Sequence, residues 1–185
     1  MTSSIESYTL NHVETNEVGN MKKIFYTMIA VMIAATSANA ECSTEDATNA
    51  LALNMYHEAR DQEHDGMQLV GEVTLNRVYS RHFPDTICGV VYQGRQDSNG
   101  NMIRHKCQFS WYCDGKSDRP TEENSWEYAL ELANSLINGE IDYLGTGATH
   151  YLNPNEVSRM PRWTRVYTEL GMYGDHVFYA MGDRL

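Results

Sequence analysis

The stretch Tyr56-His57-Glu58-Ala59-Arg60, followed after Gly66 by Glu72-Val73-Thr74-Leu75-Asn76-Arg77, holds the residue types best suited to acid–base chemistry. Glu58 is its centre. At about 100° per residue, a helix from Thr44 to Arg60 gathers Ala47, Ala50, Leu51 and Met55 on one arc, and Glu58 falls inside that arc beside Asn54. A carboxylate on an apolar face is costly to bury as an anion, so it holds its proton more tightly and can act as a general acid near neutral pH. The alternative is a Glu at a helix end that turns to solvent or pairs with Arg60 or Arg77, because structural ion pairs also perturb carboxylates.

His150 and His176 are further candidates, in Gly147-Ala148-Thr149-His150-Tyr151-Leu152-Asn153-Pro154 and Gly174-Asp175-His176-Val177-Phe178-Tyr179. Each alone reads as a satisfied structural histidine. On neighbouring strands, with Tyr151 and Tyr179 alongside, they could floor a polar groove with aromatic platforms, which is how sugars are bound. His57-Glu58-x-x-Asp61 has the i, i+4 spacing of a metal-peptidase helix, but Asp61 replaces the usual second His. Cys107, Cys113 and His105 lack the paired C-x-x-C knuckles of structural zinc. No metal and no cofactor is expected.

The elements that must position these groups are legible from periodicity and caps. Ser43 or Thr44 can cap the first helix, with Glu45 and Asp46 in its first turn. Asp65 can cap a second from Gly66 to Tyr79, apolar nearly all round, in which Glu72, Asn76 and Arg77 need partners. For Asn76 and Arg77 a structural hydrogen-bond network is the preferred reading. Asp85 can cap a short third helix through Tyr92, and Gln93 to Lys106, rich in Gly, Asn and Asp, reads as a surface loop. Gln108-Phe109-Ser110-Trp111-Tyr112 suits an extended segment or hairpin. Thr121 caps an amphipathic helix whose Trp126, Ala129, Leu130, Ala133, Leu136 and Ile137 form a core stripe, ended by Asn138-Gly139. Ala148 to Asn153, Arg165 to Leu170 and His176 to Ala180 read as short strands.

With 185 residues, 42% of them hydrophobic, the chain can bury a real core. Its formal charge of −11 argues against nucleic-acid binding, which needs a basic stripe to displace counterions. Met21-Lys22-Lys23, the apolar run Ile24 to Thr36 and Ala38-Asn39-Ala40 follow the three-part order of a secretory signal peptide. The expected division is an upstream extension or misassigned start over 1–20, a signal peptide over 21–40, and one catalytic domain over 41–185. Cleavage near Ala40 implies export to the periplasm or the extracellular space. The apolar run falls short of the roughly 20 residues that span a bilayer, so no stable membrane span is expected. Four cysteines in an exported chain, Cys42, Cys88, Cys107 and Cys113, read as two disulfides. Cys107 with Cys113 and Cys42 with Cys88 is one of three possible connectivities.

Taken together, Tyr56 to Arg60, Val70 to Arg77, Phe83 to Gln93, Cys107 to Gly115, Gly147 to Pro154 and Gly174 to Tyr179 resemble the SleB/CwlJ-type cell wall hydrolases, named for spore-cortex lytic enzymes. The resemblance runs from about Leu51 to Ala180. It implies an α+β fold: a mainly helical, lysozyme-like or lytic-transglycosylase-like domain with a small β-region at the C-terminal end. It also implies cleavage of peptidoglycan, with Glu58 as the catalytic acid. Gln108, Phe109, Ser110, Trp111, His150, Tyr151 and His176 would line the glycan groove, with ordinary core packing as the alternative for Phe109 and Trp111, and the chain would work as a monomer on glycan strands. Two features depart from the family pattern. Asp61-Gln62 stands where Gly-Glu commonly follows Glu-Ala-Arg, and the peptidoglycan-binding repeat of many members is not seen, so wall attachment falls to the groove or a partner.

Cleaving a β-1,4 glycosidic bond needs an acid for the leaving oxygen and a group that captures an oxocarbenium-like centre. A muramidase-type hydrolase supplies a second carboxylate, for which Glu72 and Asp61 are the candidates. A lytic transglycosylase needs none, because the sugar's own 6-hydroxyl attacks; the resemblance favours this route. The alternatives outside glycosidase chemistry are a zinc-dependent peptidoglycan peptidase and a non-catalytic wall-binding module.

Overall fold

Ser43 starts the first helix, α1 (Thr44–Ala59), with a reciprocal cap: its hydroxyl accepts the Asp46 amide at 3.1 Å while the Asp46 carboxylate accepts the Ser43 amide at 3.3 Å. The computed structural model describes residues 42–182, so the upstream extension and the signal peptide lie outside the described residues. Helix α2 (His64–Val78) begins two residues before the expected start. Glu63 is extended at its N-cap and receives the Gly66 and Met67 amides on its carbonyl, leaving Asp65 inside the first turn rather than capping it. In the short α3 (Ile87–Val91) the cap is Thr86, whose hydroxyl accepts the Gly89 amide at 3.1 Å, and not Asp85.

Helix α4 (Glu123–Asn138) carries the expected apolar stripe and stops at Gly139, which adopts φ 67°. Its start corrects another expectation. Thr121 does not cap it; the Tyr56 hydroxyl of α1 instead accepts the Thr121 and Glu122 amides at 3.0 and 3.1 Å. The buried tyrosine thereby supplies the acceptor that a local side chain would otherwise provide. Helices α1, α2 and α4 share one core that includes Leu51, Met55, Leu69, Val70, Ala133 and Leu136. They meet at Gly71, where a Cβ would stand 2.8 Å from Leu136 Cδ1 and 2.9 Å from Met55 Sδ. No helix among the described residues is long and apolar enough to cross a membrane.

The segment expected as a loop from Gln93 to Lys106 is an antiparallel hairpin, β1 (Gly94–Gln96) with β2 (Met102–Cys107). Its strands are mostly solvent-facing, so no apolar alternation marks them. The Gly, Asn and Asp residues form its tip, where the Asp97 carboxylate accepts the Asn99 and Asn101 amides at 2.9 Å each. The aromatic segment after it is a 3₁₀ turn, Ser110–Cys113, rather than a strand. The Cys107–Cys113 disulfide returns the chain on itself across six residues, and Cys42–Cys88 ties the start of α1 to α3.

A three-stranded antiparallel sheet closes the domain, in the order β3 (His150–Leu152), β5 (His176–Ala180), β4 (Thr168–Tyr173). Strand β4 starts later than expected because Arg162–Arg165 forms a 3₁₀ turn. In register, His150 opposes Tyr179, Tyr151 opposes Phe178 and Leu152 opposes Val177. Successive side chains alternate faces. Tyr151, Phe178 and His176 therefore point to one side of the sheet, and His150 and Tyr179 to the other. The architecture is α+β, mainly helical with the sheet at the C-terminal end.

Candidate active site

The last turn of α1 aims Glu58 at β3, where its Oε2 accepts the Tyr151 hydroxyl at 3.2 Å. Burial pushes the Glu58 carboxyl above its usual range; the Tyr151 hydrogen bond and the Arg77 charge oppose that push, and the Glu156 charge adds to it. Tyr151 is held well above its own ordinary value, first by burial and then by the Glu58 charge, so it remains a hydrogen-bond donor.

Arg77, from the end of α2, is 2% exposed and forms no ion pair within 4 Å among the described residues. Its Nε donates to the Thr149 carbonyl at 2.7 Å, and its guanidinium lies 5.2 Å from the Phe83 ring centroid and 5.3 Å from that of Phe109. Nη1 has no partner. A buried cation without a paired carboxylate is costly, and Glu58 is the carboxylate whose charge it feels. His176 is 8% exposed with its ring centroid 5.1 Å from that of Tyr151, and its Nδ1 is likewise unpartnered. Burial lowers the His176 value, against the pull of Glu156, Asp61 and Asp175. Arg77 Nη1 and His176 Nδ1 are buried polar atoms without a hydrogen-bond partner among the described residues.

Of the groove residues expected from sequence, Tyr151 and His176 join Glu58. His150 lies on the other side of β3, its Nδ1 3.0 Å from the Thr149 hydroxyl and its ring among those of Phe83, Trp163 and Tyr167. Gln108 and Ser110 are exposed, but Phe109 and Trp111 are buried and do not serve as surface platforms. Trp111 donates its indole N–H to Asn54 Oδ1 at 3.2 Å and stacks on His57 at 4.8 Å. That Asn54 in turn donates to the Thr74 hydroxyl at 3.2 Å. This chain of buried polar contacts holds the back of the α1 turn that carries Glu58.

Glu72, one candidate second carboxylate of the hydrolase alternative, is a structural clamp. It is 1% exposed and accepts the Leu144 amide at 2.6 Å, the Gly145 amide at 3.3 Å and the Gln68 amide group at 2.9 Å, fixing the segment after α4. His57, the first residue of the metal-peptidase spacing, donates its Nε2–H to the Asp118 carbonyl at 2.9 Å and stacks on Trp111. Sequence reading missed Glu156, and for Arg77 it preferred a structural network over lining of the site. Glu156 closes the turn after β3, its amide donating to the Asn153 carbonyl at 3.1 Å. No periodic pattern flags it; its charge adds to the raised proton affinity of Glu58.

A mainly helical domain with an isolated acid at a helix end, facing a small sheet, is the class of fold this geometry defines. Among solved structures it is similar to the catalytic domain of the germination-specific lytic transglycosylase SleB from Bacillus anthracis, with TM-score 0.54 and 26% identity, covering 77% of this chain and 98% of that one. The catalytic domain of the Bacillus cereus SleB protein matches with TM-score 0.53 and 25% identity, over 74% and 91% of the two chains. A spore cortex-lytic enzyme from Oceanobacillus iheyensis is 29% identical over 128 residues, 69% of this chain. The chain spans 39% of the length of that relative. The family model described as Cell Wall Hydrolase matches residues 61–179, and the chain belongs to that family of enzymes. The matched stretch begins just past Glu58, so the role of that residue rests on its geometry and on the motif around it.

Proposed function

We propose that this chain degrades peptidoglycan by cleaving the β-1,4 bond between N-acetylmuramic acid and N-acetylglucosamine, as a lytic transglycosylase with Glu58 as its one acid and base. The carrying observation is the half-buried Glu58 carboxyl, raised in proton affinity and oriented by Tyr151, while Glu72 is fully engaged by backbone amides. Protonated Glu58 gives its proton to the glycosidic oxygen as the bond to the muramyl anomeric carbon breaks. The resulting Glu58 anion then takes the proton of the muramyl 6-hydroxyl as that oxygen closes on the same carbon, leaving a 1,6-anhydro end and a reprotonated acid. Arg77 favours the anionic half of this cycle and burial favours the protonated half, so the two opposing influences on Glu58 suit a group that must visit both states.

A muramidase-type hydrolysis is the second reading, favoured by the charge of Glu156 acting on both Glu58 and His176. That carboxylate, and not Glu72, would then be the one to activate water. The first test is lysis of purified peptidoglycan by Glu58→Gln, which keeps the shape and removes the proton donor. Activity should fall at least about 10²-fold; a variant that retains full activity removes Glu58 from the chemistry. Export belongs to the same reading: the secreted protein should begin at Glu41 and contain no free thiol under denaturing, non-reducing conditions.

A further inference from the structure

The His150 side of the sheet carries a cavity of about 610 Å³ that the proposed chemistry does not use, lined by His82, Arg162, Trp163, Val166, Tyr167 and Met181. Its volume falls in the range of small-ligand sites. The wall is a cluster of rings: Trp163 lies 5.1 Å from His150, 5.7 Å from Tyr167 and 5.2 Å from Tyr179. Tyr179 is buried beneath, whereas Trp163 and Tyr167 are half-buried and leave ring surface at the opening, where Val166 is 54% exposed. Residues 157–168 hold Arg159, Arg162 and Arg165 and no Asp or Glu, in a chain of net charge −11. None of the three arginines forms an ion pair among the described residues.

The unpaired guanidinium of Arg162 beside an aromatic wall selects an anion with an apolar body, because Arg grips a carboxylate with a planar fork while the rings cover aliphatic surface. A neutral stretch of glycan would leave Arg162 without a charged partner. We propose that this cavity binds the acidic stem peptides of peptidoglycan, with Arg162 holding a carboxylate and Trp163 and Tyr167 covering the apolar part of the peptide. The inference rests on the reading that the wall is the substrate. The glycan would run past Glu58 on the Tyr151 side, and peptides branching from it or from an adjacent strand would be held across the sheet.

The test is calorimetric titration of the exported protein with a synthetic stem tetrapeptide, L-Ala-γ-D-Glu-diaminopimelate-D-Ala, carrying free carboxylates. Saturable binding is expected, weakened about 10-fold by Arg162→Gln, a loss on the order of one charge-assisted hydrogen bond. Amidating the peptide carboxylates should weaken it equally. Arg162 is exposed, so its substitution leaves the fold intact, and Trp163→Ala provides a second variant with the same expected loss. Absence of saturable binding, unchanged affinity in Arg162→Gln, or equal displacement by neutral chitotetraose or by inorganic phosphate would each overturn the proposal. The peptide contains no glycosidic bond, so its titration is independent of Glu58. Normal lysis without peptide binding defeats this inference alone, and peptide binding without any lysis defeats the proposed glycosidase alone.

Discussion

Tyr151 and His150 are neighbours on one strand, yet the two sides of the sheet they face are built to different ends. On the Tyr151 side a carboxylate, a buried guanidinium and a buried imidazole converge, and the last two each keep a polar atom without a partner. On the His150 side the imidazole is already satisfied by Thr149 and enclosed by rings. Burial lowers His150 to about 4, with the Arg77 charge acting the same way, so it is neutral at physiological pH. Aromatic enclosure occurs on both sides, so it does not distinguish them. The burial of the unpaired polar groups does: Arg77 Nη1 and His176 Nδ1 are buried without partners among the described residues, whereas the unpaired Arg162 on the second side is exposed.

The largest effect that can break this comparison comes from removing one ring substituent on each side. Tyr151→Phe deletes the hydroxyl that orients Glu58 and should lower turnover about 10-fold, as expected for a hydrogen bond to an ionisable partner. His150→Gln should change turnover less than about 3-fold, and a larger loss there would move the chemistry across the sheet. A smaller effect is expected from Arg77→Met, read in the pH–rate profile. The Arg77 charge lowers the Glu58 value, so its removal raises that value further. The alkaline limb, where the acid form is lost, should then move to higher pH. An unmoved limb would make Arg77 a purely structural residue.

The smallest effect is on stability alone. Unfolded His150 takes up its proton near 6.5 and folded His150 not until about 4, so the unfolded state binds more protons between those values. The stability contribution is complete above 6.5 and is lost as pH falls toward 4. Glu58 has the opposite sign: its raised value favours the folded state at low pH, and that advantage disappears as pH rises through it. Melting temperatures of His150→Gln should therefore fall less steeply than wild type below pH 6.5. Those of Glu58→Gln should gain on wild type as the pH rises. Parallel curves for all three proteins would contradict the burial of both groups.

Much of the helical half was legible because its signals are local. Ser43 with Asp46, the stripe from Ala129 to Leu136 and the stop at Gly139 are each contained within a few turns. The β1–β2 hairpin was not, because its ladder is made by backbone groups while its side chains face solvent. At the site, Glu58 was legible as a carboxylate on an apolar arc. Trp111 could be read as a groove platform or as core, because an aromatic residue looks alike in sequence in either role, and its contact with Asn54, which places it in the core, spans 57 residues. The division of His150 from His176 depends on strand register, which three-residue strands do not advertise. Glu72 shows the converse: a buried carboxylate near a catalytic motif served two distant backbone amides.

The central claim, one carboxylate working without a second, is tested most directly by the mass of the glycan ends that wild-type protein leaves on purified peptidoglycan. The account predicts 1,6-anhydro muropeptides, lighter by one water than reducing-end products and undiminished in Glu156→Gln. Digests containing reducing ends throughout, lost on Glu156→Gln, would contradict it and make the chain a two-carboxylate muramidase.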